Sequence, residues 1–337
     1  MFERGLWMIM SDKNINRIYY VSNLNTCRVS IIDGNNKSIT KEIEIGSRPQ
    51  DIIVDENNRV FIASDRNNKV TVIEDLFNNI KILDIHNNGN IDIDAFSEKI
   101  YAGNTEEIGI YNLNTGEKIN SIKGFIAADR LKIDKSGKRL FVLDILQKMI
   151  KVYDTEKFNL INLYKDVGVA PVDFLLGEDE KYIYVADKGT KNKRYKSTIL
   201  IVDIKTKNTF YIPIQKESVV TSLEHNDVNI YAANIGFKRI DVINIDKKQY
   251  STSIATTLPN IIRIRLSKDK KILCAISCDS NGKSVIDIID TNKNIIIDSI
   301  FLEGNNFPYD IGAAVEENLR IEEKPFVLMS FENETDE

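Results

Sequence analysis

The 337-residue sequence predicts an all-β fold, a β-propeller of seven four-stranded blades, with eight blades and an incomplete last one as the alternative. Three observations predict it. Short runs rich in β-branched and aromatic residues end repeatedly in Asn or Asp, and each is followed by a second such run with the same ending. The pair recurs at a period of about 43 residues, with no helical spacing of apolar residues inside it. Residues of these types favour strands, and a repeat of that length is one blade of four short strands.

The first runs, read as strand B of each blade, are RIYYVSN (Arg17 to Asn23), RVFIASD (Arg59 to Asp65), KIYAGN (Lys99 to Asn104), RLFVLD (Arg139 to Asp144), YIYVAD (Tyr182 to Asp187) and NIYAAN (Asn229 to Asn234). KILCAISC (Lys271 to Cys278) is a degenerate seventh copy. The second runs, strand C, end at Asp33, Asp75, Asn112, Asp154, Asp203, Asn244 and Asp290. Many runs are apolar on both faces, as expected of strands sandwiched between neighbouring blades. Asx residues end them because their side chains bond the local backbone in turns. Strand A of blade 1 has two candidates, Gly5 to Met10 and Pro308 to Val315, and one more strand-like run follows at Pro325 to Phe331. Residues 1–331 read as a single propeller domain and 332–337 as an acidic, disordered tail.

The composition is that of a soluble globular chain, 42% hydrophobic and 28% charged, with a net charge of -5. It lacks the positive field that would hold it on nucleic acid or an anionic membrane. No apolar run approaches a membrane span, and the apolar stretch before Met10 is too short for a signal peptide, so a cytoplasmic location is expected. Three cysteines, Cys27, Cys274 and Cys278, and two histidines, His86 and His225, fit a reducing compartment and do not make a zinc site.

The repeat unit, with a start such as Arg48-Pro49-Gln50-Asp51-Ile52, then RVFIASD, then KVTVIED, resembles the YVTN family of β-propellers. That family's consensus runs through a Pro before strand A, a Tyr-Val pair in strand B and a Val-Ile-Asp end to strand C. YIYVADKG and VSIIDG stand close to it. The resemblance covers nearly the whole chain and implies the propeller fold. Similar propellers include surface-layer modules, ligand binders and lactonase-like enzymes, so it implies no single activity.

With strands running A to D from the channel outward, the D-to-A and B-to-C loops share one face, here called the upper face. Aligning the blades on strand B places Asp51, Asp92, Asp129, Asp173 and Asp310 at the rim of the channel, with Thr221 and Arg263 in the remaining blades. Such carboxylates either bond backbone N–H groups of their own or the next blade, or hold a divalent cation such as calcium, which takes six to eight oxygens. Arg263 either neutralises part of the ring or holds an anionic substituent of a ligand. His86 is expected at the upper mouth and His225 on the opposite face, so the two do not act as an acid–base pair. Neither Gly-x-Ser-x-Gly nor a phosphate-binding Gly-rich loop is present.

The B-to-C loop of blade 5 carries an insertion in which Lys188, Lys191, Lys193, Arg194 and Lys196 surround Tyr195. Cations around an aromatic ring suit a nucleic-acid strand or an acidic partner protein, and a solvated loop is the plainer expectation. The expected function is a binding or interaction module that takes a small molecule or a protein at the channel mouth and upper loops. One alternative is a metal-assisted hydrolase or lyase of lactonase-like type working through the Asp ring. The other is a single-stranded nucleic-acid binder through the blade 5 loop. Nucleic acid is the less expected partner, and a membrane is not expected.

Overall fold

Hairpins of short apolar strands build the computed structural model into seven four-stranded antiparallel sheets, the blades of a propeller. The structure describes residues 16–74, 79–190, 197–215, 218–302, 304 and 307–316. The innermost strands, A, of blades 1 to 7 are Pro308–Glu316, Pro49–Val54, Ile91–Asp94, Ala128–Ile133, Pro171–Leu176, Val220–His225 and Asn260–Leu266. Strands B, C and D follow outward in each sheet. Among the described residues no helix is long and apolar enough to cross a membrane.

Blade 1 is closed by both ends of the chain. Pro308–Glu316 pairs antiparallel with Asn16–Asn23, so that Tyr20 stands opposite Gly312 and Ser22 opposite Asp310. Of the two candidates for this strand, the C-terminal one is used. Gly5 to Met10, Pro325 to Phe331 and the tail 332–337 lie outside the described residues. Gly312 lets the closing strand approach blade 2, because a Cβ there would lie 2.7 Å from Ile52 Cγ2 and 2.8 Å from Val54 Cγ2.

Strands B and C are buried on both faces, as in Val60–Ser64, where every residue is buried, whereas the outer strand Asn79–Asp84 buries one residue of six. The core is therefore a set of seven slabs, one between each pair of blades. The slab at the closure sets Tyr19, Val21 and Ile32 against Cys274, Ile276, Ile286 and Ile311. Each such side chain contributes about 1.5 to 3 kcal/mol on burial, so the join made by the chain ends is packed as the other six are. Burial pushes the Cys274 thiol up to about 12, and all three cysteines are free.

The two sets of Asx residues do different work. Those ending strand C make local turns: Asp33 Oδ1 accepts the N–H groups of Asn35 (2.8 Å) and Asn36 (3.2 Å), and Asp154 and Asp203 do the same two and three residues on. Those ending strand B reach back to the loop that leads into strand A. Asp144 accepts the N–H groups of Ile126 (2.9 Å) and Ala127 (3.2 Å), and Asp187 those of Val169 (3.0 Å) and Ala170 (2.8 Å). In blade 6 Asn234 Oδ1 accepts the N–H of Val219 at 3.2 Å. The strand B markers thus hold the upper ends of the channel-lining strands.

Candidate functional site

Six of the seven inner strands carry a bulge just below the upper mouth. It lies between Pro49 and Ile52, Ala128 and Arg130, Pro171 and Asp173, Val220 and Ser222, Ile261 and Arg263, and at Tyr309 in the closing strand. A bulge inserts one extra residue and re-aims the side chain that follows it. By register, the same level of the channel then holds Asp310, Asp51, Asn90, Arg130, Asp173, Ser222 and Arg263 in blades 1 to 7. One residue above stand Asp129, Thr221 and Tyr309. Two residues below stand Asp92, Lys132, Glu224 and Arg265.

Alignment on strand B set Asp92 and Asp129 level with Asp51, Asp173, Asp310 and Arg263. The register separates them, with Asp92 lower and Asp129 higher, and brings in Asn90, Arg130 and Ser222. The bulge sets Asp129 one residue above Arg130, and a strand alignment has no gap for it, whereas blade 3, whose inner strand has no bulge, carries Asn90 at the ring and Asp92 two residues below.

Most of the carboxylates tie one blade to the next. Asp310 Oδ2 accepts the Ile52 N–H of blade 2 (3.0 Å), Asp51 Oδ2 the Ile91 N–H of blade 3 (3.4 Å) and Asp173 Oδ2 the Leu223 N–H of blade 6 (2.9 Å). At the lower level Asp92 Oδ2 accepts the Ile133 N–H of blade 4 at 2.8 Å. Arg265 grips Asp310 with two bonds, Nε to Oδ1 at 3.0 Å and Nη2 to Oδ2 at 2.8 Å, and reaches Glu224 Oε1 at 3.4 Å. Burial works to raise the Asp310 carboxyl, but Arg265 and Arg263 outweigh it and hold the group below the usual carboxylate range. Burial prevails at Asp92, Asp129 and Glu224, whose carboxyls are pushed up.

The arc from blade 4 to blade 7 is bonded differently. Arg130 donates from Nη1 to Asn90 Oδ1, while its Nε lies 3.7 Å from Asp173 Oδ1 and 3.9 Å from Asp129 Oδ2. Arg263 is only 4% exposed, and its Cζ lies 5.6 Å from the centre of the Tyr309 ring. Its nearest carboxylate oxygens are Asp310 Oδ1, 3.6 Å from Nε, and Asp51 Oδ1, 3.9 Å from Nη2. These are ion contacts too long to be hydrogen bonds. The buried Nε atoms of Arg130 and Arg263 and the hydroxyls of Thr221 and Ser222 have no hydrogen-bond partner among the described residues. Buried polar groups are nearly always bonded, and leaving one unmade costs about 1 to 3 kcal/mol.

Among the described residues no three His, Cys, Asp or Glu side chains gather in a way that could hold a metal ion. His86 is exposed on the upper face, where its Nδ1 lies 3.1 Å from Asn104 Nδ2. His225 ends its strand at the lower face, with Nε2 2.7 Å from the Leu176 carbonyl oxygen. In the blade 5 loop Lys188 is exposed and its carbonyl accepts a bond from Ser197 Oγ at 2.7 Å. Lys191, Lys193, Arg194, Tyr195 and Lys196 lie outside the described residues.

The lower face is crossed by ion pairs. Glu178 accepts from Lys135 and Lys270, and Lys270 also reaches Asp227 Oδ1 at 2.9 Å, so turns of blades 4 to 7 are linked. A groove of roughly 540 Å³ between blades 5 and 6 is lined by Tyr182, Tyr184, His225, Asp179, Asp246 and Lys248. Lys248 Nζ covers its aromatic side, 4.9 Å from the Tyr182 ring centre and 3.5 Å from that of Phe210.

Known proteins resemble this architecture. A family model described as a 6-bladed beta-propeller matches residues 123–254, less than half of the chain, which hold three of its blades from strand A of blade 4 to strand D of blade 6. No curated protein matches the sequence. Among solved structures, the hydrazine synthase of Kuenenia stuttgartiensis superposes with a TM-score of 0.70 at 15% identity, covering 81% of this chain and 92% of that one. A functionally unknown protein from Desulfotomaculum acetoxidans gives 0.70 at 14% identity, covering 88% and 98%. The dihydro-heme d1 dehydrogenase NirN, solved in complex with DHE, gives 0.63 at 10% identity, covering 88% and 74%. At these identities the likeness is one of fold.

Proposed function

We propose that this chain is a binding module that takes a small molecule at the upper mouth of its channel, holding an anionic group of the ligand with Arg263 and Arg130. The observation that carries it is the buried Arg263 guanidinium, whose Nε, like Arg130 Nε, Thr221 Oγ1 and Ser222 Oγ, has no hydrogen-bond partner among the described residues. An oxyanion seated among them supplies acceptors to both guanidinium groups and to the two hydroxyls. Charge-assisted bonds of this kind are strong where water is scarce. The carboxylates at the same level spend their oxygens on the backbone of neighbouring blades and serve as walls. The YVTN-type repeat and a cytoplasmic setting belong to the same proposal.

Melting curves with acetate, succinate and phosphate at matched ionic strength test it. At least one of these anions should raise the melting temperature with the logarithm of its excess over Kd, and Arg263→Gln should abolish the rise. No shift with any of them would sink the proposal. If calcium raised the melting temperature instead, and Asp51→Asn removed that effect, the metal-assisted alternative would take its place.

A further inference from the structure

At the level of the ring and the level above it stand four carboxylates, Asp51, Asp129, Asp173 and Asp310, and two guanidinium groups, Arg130 and Arg263, with Arg265 two residues below beside Glu224. Asp310 holds Arg265 with two bonds and accepts a backbone N–H. Asp51 accepts the Ile91 N–H and lies within 3.9 Å of Arg263 and 3.5 Å of Arg265. Asp173 accepts the N–H groups of Phe174 (3.0 Å) and Leu223 (2.9 Å). Asp129 alone of the four accepts no hydrogen bond among the described residues, and its nearest cation is Arg130 Nε at 3.9 Å. Asp129 is therefore the carboxylate of the mouth whose oxygens no described residue engages.

A simple anion bound to Arg263 and Arg130 would add a second negative charge beside Asp129, which like-charge repulsion opposes. A ligand that brings its own cation adds none. Asp129 directly precedes Arg130 in the chain and stands one residue nearer the opening, so a group bonded to Asp129 lies a short step above a group bonded to Arg130. Resting on the ligand mouth argued above, we infer that the ligand is a zwitterion of the α-amino acid class, with its carboxylate on Arg263, Arg130 and the hydroxyls of Thr221 and Ser222, and its ammonium on Asp129. In an α-amino acid the two charged groups are joined through a single carbon, which suits adjacent positions of one strand.

The test compares L-alanine with its two halves, propionate and ethylamine, by titration of the full chain at matched ionic strength and tens of millimolar probe. Alanine should bind about ten-fold or more tighter than either half. Asp129→Asn should bring alanine down to the affinity of propionate and leave propionate bound as well as before or better. Arg263→Gln should lose both acids. Equal binding of alanine and propionate to the unaltered chain, or no effect of Asp129→Asn on alanine, would overturn the zwitterion while the anion site stands. Absence of both acids from the unaltered chain would overturn the anion site as well.

Discussion

Two arcs of one ring treat the same chemistry in opposite ways. From blade 1 to blade 3 the polar groups are spent on the fold: Asp310 and Asp51 each accept an N–H from the next blade, and Asn90 accepts from Arg130. From blade 4 to blade 7, Arg130 Nε, Thr221, Ser222 and Arg263 Nε carry buried donors with no partner among the described residues. Residue type does not separate the arcs, since Asp310 and Asp129 are both aspartates near one rim. Their surroundings do. Arg265 and Arg263 hold Asp310 low against the effect of burial, whereas at Asp129 burial outweighs the charge of Arg130 and pushes the carboxyl up. Hydrogen-bond accounting is what distinguishes a wall from a binding surface here.

The largest effect should come from removing the bonded arc. A chain ended after residue 305 lacks strand A of blade 1 and with it Asp310, and leaves the edge of Asn16–Asn23 unpaired. It should melt at a much lower temperature or fail to fold. An unchanged melting curve would mean that another segment completes blade 1.

Next, Asp310→Ala should cost about 3 to 5 kcal/mol, because it removes the two-bond partner of the buried Arg265 and leaves it only the longer contacts to Glu224 and Asp51, whereas Asp129→Ala should stay within about 0.5 kcal/mol. Urea unfolding of both variants measures the contrast, and similar losses would dissolve it. A third, smaller effect belongs to Arg263. Replacing Arg263 by Leu removes a cation with no hydrogen bond to a described residue, whose neighbours Asp310 and Asp51 keep Arg265, and should cost about 1 kcal/mol, while anion binding disappears. A loss comparable to that of Asp310→Ala would make Arg263 part of the wall.

The smallest effect lies outside the ring. Bonds from Lys135 and Lys270 pull the Glu178 carboxyl down to about 2. Its contribution is therefore present above the ordinary Glu value, near 4.3, and is lost as pH falls towards 2. Because the pair is half-exposed, with 42% of the Glu178 side chain accessible, Glu178→Gln should lower stability at pH 7 by less than about 1 kcal/mol, and less in high salt. The difference between variant and parent should shrink as pH falls through this window, which unfolding at pH 7, 4 and 2 would follow.

What was legible in the sequence follows the reach of each interaction. The turn bonds of Asp33, Asp154 and Asp203 span two or three residues, so the markers could be read as turns and counted into blades. The ring bonds join residues 40 to 50 positions apart, as in Asp51 to Ile91 and Asp173 to Leu223. Their partners depend on strand register, and the register depends on a bulge with no sequence signature of its own. Asp51, Asp173 and Asp310 could be found because a Pro precedes each by two residues, and Arg263 by its offset from strand B. Arg130 and Ser222 could not, because they occupy that frame with other residue types, and Arg265 lies two residues below it.

Closure by the two chain ends also sets a clock on folding. Ser22 Oγ bonds both the main-chain carbonyl and the main-chain N–H of Asp310 across 288 residues, and at a synthesis rate of about 5 to 20 residues per second roughly a quarter to a full minute separates their emergence from the ribosome. Throughout that interval the inner edge of blade 1 is an open template for any extended segment nearby. Six blades can stack while the nascent chain waits, but the ring cannot shut, and the arginine-lined mouth has no seventh side until its last strand arrives.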